Sequence, residues 1–342
     1  MSIIDWCERG LVPDPLMRLG MRRLLTERLR NECRGALADR QQRYSDLLDV
    51  LCNSPIALST ATANEQHYEV TAEFFQRVLG KNLKYSGCYW PQGVSDLDQA
   101  ENAMLEITCQ RADLGSAREI LELGCGWGSL TLWMASHYPL ASITAVSNSA
   151  GQKTYIDEQA RLRGLSNITV ITADMNEFQA PGSYDRVVSV EMFEHMRNYK
   201  ELMSRIATWL RPQGKLFVHI FCHRELMYPF QDAGESDWMA RNFFTDGLMP
   251  AADTLRRFQD DLRLESEWWV DGVHYERTAN AWLEKLDENR ADVVDALRST
   301  YDDQSELWMR RWRMFFMACA ELFGFDHGRE WLVAHYLFSK RR

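Results

Sequence analysis

Glu191, Glu194 and His195 stand together in the segment Glu191-Met192-Phe193-Glu194-His195. If that segment is helical, the i,i+3 and i,i+4 spacings set all three side chains on one face. Carboxylate and imidazole at this spacing can share a metal ion, but no third and fourth ligands stand at comparable spacing and HExxH is absent. No metal site is therefore read here. A capped helix start with solvated acids is the plain structural alternative. Acid–base work suits the set better, because imidazole titrates near pH ~6.5 and neighbouring carboxylates attract a cation. The expected roles are proton removal by His195 and cation positioning by Glu191 and Glu194.

A second cluster is Glu122-Leu123-Gly124-Cys125-Gly126-Trp127-Gly128, a glycine-rich turn after an apolar run. Glycines let backbone approach a ligand, and the following helix offers free N–H groups. The spacing is GxGxG, whereas a dinucleotide site wants GxGxxG and an acid about 20 residues on. Here the next strand ends in Ser147-Asn148-Ser149, with Gln152 beyond and no acid. Nicotinamide binding loses ground. Asp174-Met175 follows a third apolar run and Glu191 a fourth. Ligands of open α/β sheets bind outside the carboxyl ends of strands, so these residues should line one crevice. A carboxylate for an amino group, a Met for a purine face and a glycine-rich turn suit S-adenosylmethionine.

The elements that must position these groups are legible from periodicity. Strands are expected at 119–123, 143–146, 168–171, 186–190, 215–220 and 331–338, with helices at about 129–137, 150–163 and 198–210 between them. Further helices are expected at 14–53, 278–300 and 304–323. Asp14-Pro15 reads as an N-cap followed by proline, and the arginines at 18, 22, 23, 28 and 30 as a solvated face. Alternating strands and helices imply a mostly parallel sheet covered on both faces. His219, Phe221 and His223 share one strand face and Cys222 the other, which opposes a zinc site. Trp238 falls in a long irregular segment and reads as lid or pocket wall.

Composition bounds the rest. The 342 residues are 46% hydrophobic and 26% charged, with 39 basic against 49 acidic side chains and a net charge of -10. That describes a globular protein without sequence-independent nucleic-acid binding. No apolar run reaches the ~18 residues of a membrane span, and the first residues lack a secretory pattern. Eight scattered cysteines without CxxC spacing suggest reduced thiols and a cytoplasmic setting.

Several longer motifs add to this. They are Asn64-Glu65-Gln66-His67-Tyr68-Glu69, Leu83-Lys84-Tyr85-Ser86, Gly124 to Leu130, Ser147-Asn148-Ser149 with Gln152, Glu191 to Tyr199, Phe258 to Asp261 and Gly328 to Trp331. With them the chain resembles the S-adenosylmethionine-dependent methyltransferases of the coclaurine N-methyltransferase group, relatives of the cyclopropane fatty acid synthases. The resemblance covers most of the chain. It implies a seven-stranded, Rossmann-like class I methyltransferase sheet: a helical N-terminal region at 1–100, a cofactor-binding core at 101–225, and a helical cap with the final strands at 226–342.

The resemblance also implies roles. Tyr85 and Ser86 should hold the methionine end of the cofactor, with Gly124 and Gly126 beneath it. Ser147, Asn148 and Gln152 fall at ribose positions, Asp174 and Met175 at adenine positions. Glu69 borders the active site, and the Glu-His pair carries catalysis. The related synthases hold a bicarbonate ion with a Cys after the Tyr-Ser pair, the Glu of the Glu-His motif, a strand histidine and a late-helix Tyr. This chain offers Glu194 and His219, but Gly87 replaces the Cys, and Met314-Phe315 stands at the tyrosine position. Apolar Phe315 suits the wall of an aromatic substrate pocket, beside His219, Phe221 and Trp238. The expected reaction is N-methylation of a small aromatic amine, with release of S-adenosylhomocysteine. Lipid methylation or cyclopropanation is the alternative, and peripheral membrane contact belongs to it alone. A donor-binding protein without catalysis is a third reading, opposed by the retained acid–base set. A homodimer stays open.

Overall fold

A computed structural model of the chain describes residues 2–58, 70–232, 234 and 237–341. Its β-branched and apolar runs form β1 (Glu119–Leu123), β2 (Ser142–Ser147), β3 (Ile168–Thr172), β4 (Tyr184–Val190) and β5 (Leu210–His223). The short β6 (Tyr228–Pro229) and β7 (Leu248–Met249) pair with each other, and β8 (Leu262–Val270) and β9 (Trp331–Lys340) complete the main sheet. Its strand order is β3-β2-β1-β4-β5-β9-β8. Pairing is parallel from β3 through β5, and β9 runs antiparallel to both of its neighbours.

From β1 the chain winds outward to β2 and β3, then returns to lay β4 and β5 on the other side of β1. The loops leaving β1 and β4 therefore part at their carboxyl ends, and a crevice opens there. β1 from Ile120 and β5 from Leu216 to Ile220 are buried without alternation, as in a sheet covered on both faces. Among the described residues, no helix is long and apolar enough to cross a membrane.

The cap is built from helices Gly272–Glu288, Arg290–Tyr301 and Ser305–Gly324, with Ala72–Val78 and Asp14–Glu32 against them. Phe74, Phe75, Trp282, Trp312 and Phe316 are fully buried in its core. Truncating any one to Ala would cost about 3–5 kcal/mol.

Several expectations are corrected. The stretch 14–53 is two helices, Asp14–Glu32 and Leu37–Cys52, broken where Gly35 takes φ +87. Asp14 does not cap the first of them, because Arg313 clamps its carboxylate at 2.7 and 2.6 Å. Arg18 and Arg22 are not simply solvated, since both pair with Glu321 at 2.9 and 2.6 Å. The stretch 278–300 divides at Asn289. Helix Leu97–Arg111 and strand β8 carried no expectation. Arg263, Glu265 and Glu267 give β8 the charged face of an edge strand, which blurs its alternation.

Candidate active site

After Leu123 the chain turns through Gly124 (φ +77), Gly126 (φ +52) and Gly128 (φ +79) into the helix Ser129–His137. A Cβ on Gly124 would lie 2.7 Å from Cβ of Met192, whereas one on Gly126 would meet nothing within 4 Å. Bare backbone thus faces the crevice. Two lobes meet over this turn and share Gly124, Gly126 and Gln152. Lys84, Tyr85, Ser86, Glu122 and Glu191 line the first. Ser147, Asn148, Met175 and His195 line the second.

The cleft carries polar atoms that the protein does not satisfy. Trp127 Nε1, Ser129 Oγ and Gln152 Nε2 are buried there without a hydrogen-bond partner. Such groups cost roughly 1–3 kcal/mol each unless a ligand meets them. The Ser147 hydroxyl donates to Gln152 Oε1 at 2.6 Å, which leaves the amide NH2 for a ligand. Glu122 sits at the base of the first lobe, where burial pushes its pKa up to about 8 against the pull of the Thr131 hydroxyl.

Glu191 closes the end of β4 with φ +47, a left-handed backbone uncommon for a non-glycine residue. Its amide donates to the His219 carbonyl at 2.8 Å, which fixes the kink. Three donors converge on its side chain: Gly87 N–H at 2.8 Å and His219 Nε2 at 3.1 Å on Oε1, and the Tyr275 hydroxyl at 2.8 Å on Oε2. Burial raises its pKa, while the Lys84 charge, the Gly87 amide and the Tyr275 hydroxyl pull it back. Glu194 Oε1 accepts from the Phe221 amide at 2.6 Å, and its Oε2 is buried without a partner. Burial and the Glu191 charge raise its pKa well above the usual range. Of these two coupled carboxylates Glu191 has more donors, so a negative charge is held more readily there than on Glu194.

A run of ring contacts joins the two lobes. The His195 ring meets Phe244 at 4.8 Å, Phe244 meets Phe221 at 5.7 Å, and Phe221 meets Phe323 at 6.1 Å. Phe323 stacks on Tyr275 at 4.1 Å, and Tyr275 reaches Glu191.

Comparison with known proteins shows the family and the fold. The family model described as mycolic acid cyclopropane synthetase matches residues 58–329. The (S)-coclaurine N-methyltransferase of Thalictrum flavum subsp. glaucum is 37% identical, over 100% of this chain and 96% of its own. The chain belongs to the coclaurine N-methyltransferase-like family of S-adenosylmethionine-dependent methyltransferases, within the cyclopropane synthase superfamily. The pavine N-methyltransferase of the same plant is 30% identical over 99% of this chain and 97% of its own. A coclaurine N-methyltransferase crystallised with N-methylheliamine and S-adenosylhomocysteine superposes with a TM-score of 0.94 at 34% identity, covering 99% of each chain.

Within this methyltransferase fold, the sequence-derived residues are only partly brought together. Tyr85, Ser86, Gly124, Gly126, Ser147, Asn148, Gln152, Met175, Glu191 and His195 all line the cleft. Asp174 is in neither lining; its Oδ1 accepts the Asn176 amide at 2.7 Å and shapes the turn after β3. Glu194 is turned from the cleft toward β5, because the kink at Glu191 and a 3₁₀ turn over only Phe193–His195 abolish the shared helical face. His219 is fully buried between Glu191 and His335 and lines neither lobe. Trp238 donates to Glu8 Oε1 at 2.9 Å, and Phe315 stacks on Phe243 at 4.5 Å. Neither belongs to the lining of either lobe. Glu69 lies outside the described residues.

Sequence reasoning missed Lys84, Glu122 and the full role of Tyr275. Glu122 could have been found, since it opens the glycine-rich motif. Lys84 is buried and donates to Ser86 Oγ at 2.5 Å and the Gly87 carbonyl at 2.7 Å, which only the folded loop reveals.

Proposed function

We propose that the chain methylates the nitrogen of a small amine with an aromatic or otherwise apolar body. The observation that carries this reading is the Glu191 carboxylate, held by Gly87, His219 and Tyr275 at the rim of the cofactor cleft. In the synthases that the chain resembles, a bicarbonate ion is bound by a Cys at the Gly87 position and a strand histidine. Here those donors already hold the protein's own carboxylate. A Cβ on Gly87 would lie 2.9 Å from Cδ1 of Tyr275, so the Tyr275 ring fills the space where the Cys side chain would stand. That arrangement favours amine docking over cyclopropanation.

An alkylamine arrives mostly protonated near neutral pH and has no free lone pair. The Glu191 anion draws the ammonium form toward the first lobe, and partial burial strengthens that attraction. His195, across the shared glycine turn, takes the proton from nitrogen. The ring run from His195 to Tyr275 packs behind the two lobes and braces the groups that flank them. Glu194 braces β5 behind the site. When bound, S-adenosylmethionine supplies an electrophilic sulfonium methyl. Trp127, Ser129 and Gln152 would hold its polar groups, with Met175 and Asn148 toward the second lobe. A cytoplasmic setting belongs to the same reading, supported by eight free thiols.

The test is release of S-adenosylhomocysteine against a panel of benzylisoquinoline-like and arylalkyl amines, with unsaturated phospholipid vesicles in parallel, with and without bicarbonate. Turnover on amines that rises with pH is expected, with His195→Ala losing most of it below the amine's pKa. Turnover on vesicles alone, stimulated by bicarbonate, would overturn the reading.

A further inference from the structure

Behind Glu191 a line of side chains runs along one face of the sheet, from β5 to β9 and on to the helix Leu97–Arg111. His219 Nε2 lies 3.1 Å from Glu191 Oε1, and His219 Nδ1 lies 3.0 Å from His335 Nε2. His335 Nδ1 in turn lies 2.8 Å from Arg111 Nη1. The two histidines are fully buried and directly opposed in the antiparallel register of β5 and β9. Arg111 ends the helix Leu97–Arg111, with its guanidinium 5.1 Å over the Trp268 ring.

Such a line has a direction. A guanidinium has donors and no acceptor, so His335 Nδ1 must accept. Its proton then sits on Nε2 and is donated to His219 Nδ1. His219 in turn carries its proton on Nε2, and donates to Glu191. Burial first lowers the pKa of both rings; Lys84 and Arg111 lower that of His219 further, and His219, Arg111 and Lys84 that of His335, so both stay neutral. In the opposite tautomer, the His219 Nε2 lone pair would face the carboxylate oxygen and repel the anion.

We propose that Arg111 and His335 are positioning residues, which fix the His219 tautomer so that Glu191 is held as an oriented anion. Neither residue belongs to the motifs that carry the family resemblance. The inference rests on Glu191 serving the reaction as described above. Among the described residues, the groups that bear on Glu191 are Lys84 and Cys88 from the loop before the cleft, Glu194 from its own turn and His219 from β5. Tyr275 and Cys319 bear on it from the cap helices. Lys84 is the one cation in this set, so the neutral donors must supply the remaining stabilisation of the anion.

The experiment compares Arg111→Met, His335→Leu and His335→Gln by pH profiles of kcat and kcat/KM, using an arylalkyl amine that the wild type methylates. Glutamine can accept from Arg111 through its carbonyl and donate to His219 through its NH2, so it preserves the direction. The expected result is a loss of about tenfold in kcat/KM for Arg111→Met and His335→Leu. Their acid limb should move to higher pH, while His335→Gln stays near wild type. Affinity for S-adenosylmethionine, read by tryptophan fluorescence, should not change. Equal impairment of the Gln and Leu variants, or an unmoved acid limb in Arg111→Met, overturns the proposal. Arg111 is only half-buried, so that variant remains informative if His335→Leu fails to fold. Independently of turnover, ¹⁵N-histidine NMR of the wild type should show His219 and His335 both protonated at Nε2, and a proton on either Nδ1 refutes the relay. Glu191→Gln separates the two layers: full activity there removes the Glu191 reading itself, whereas an inactive Glu191→Gln beside an unmoved Arg111→Met removes only the relay.

Discussion

The hydroxyl of Tyr275 donates to Oε2 of Glu191 at 2.8 Å, across 84 residues of sequence. One partner ends a sheet strand and the other lies in the first helix of the cap, so this bond ties cap to core at the cleft. Tyr275 has little freedom to leave, because its ring stacks on Phe323 at 4.1 Å with an interplanar angle of 9°. Its phenol is held well above the usual tyrosine pKa by burial, and further by the Glu191 charge. It therefore remains a donor at any working pH, and Glu191 remains the acceptor.

Tyr275→Phe removes that donor and leaves the stack. The Glu191 anion loses a charge-assisted hydrogen bond, so its already raised pKa climbs further. The sign follows directly: the ionised form that attracts the amine then requires higher pH. The acid limb of kcat/KM should move up by roughly one pH unit, with a smaller change at the alkaline plateau. An acid limb that coincides with wild type, measured on the same amine, would show that the hydroxyl does not act on Glu191.

Gly87→Ala tests the same contact from the opposite side. The new Cβ would fall 2.9 Å from the Tyr275 ring, and Phe323 blocks the ring from sliding away. Either the ring or the loop must shift, and each movement strains a hydrogen bond on Glu191. A loss of about tenfold or more in kcat/KM is expected, with a thermal midpoint within a few degrees of wild type. Because the two substitutions damage one contact, the double variant Gly87→Ala/Tyr275→Phe should be less impaired than the product of the singles. Multiplicative losses would mean that Gly87 acts through something other than Tyr275.

The strands of the parallel half, the glycine turn and the cleft-lining residues at strand ends were readable from the sequence because each is a local signal. Apolar runs of strand length mark β1 to β5, and the residue after each run is carried to the same edge. What escaped depends on tertiary register. The pairing of His219 with His335 is an accident of sequence until β5 and β9 are aligned. The contact of Tyr275 with Glu191 needs the cap in place. Glu191 itself was legible as a site residue, but the helical face drawn through Glu194 was not real, because a left-handed residue at the strand end defeats i,i+3 reasoning. Trp238 was read as pocket wall from its irregular segment and Phe315 from its place in the family motif, and both pack on the aromatic cluster of the cap, outside the lining of either lobe.

Glu122 allows a prediction about protons rather than rates. Its carboxyl has a pKa of about 8 in the folded chain, set by burial, against about 4.3 when unfolded. A raised carboxyl pKa favours the folded state fully only below the unfolded value. That contribution is lost as pH rises from about 4.3 through 8, since the unfolded chain ionises freely and the folded one resists. Glu122→Gln, which can still accept from the Thr131 hydroxyl, should remove this slope and be the more stable protein above pH 7 in urea unfolding. The same group lines the lobe beside Tyr85 and Ser86, where an ammonium group of the methyl donor would favour its ionised form. Binding of S-adenosylmethionine near pH 7 should therefore release a proton from the wild type and not from Glu122→Gln. Calorimetry in buffers of different ionisation enthalpy reads that difference. Equal proton release by both proteins would mean that Glu122 stays protonated under the bound donor and serves only the packing of β1 against Thr131.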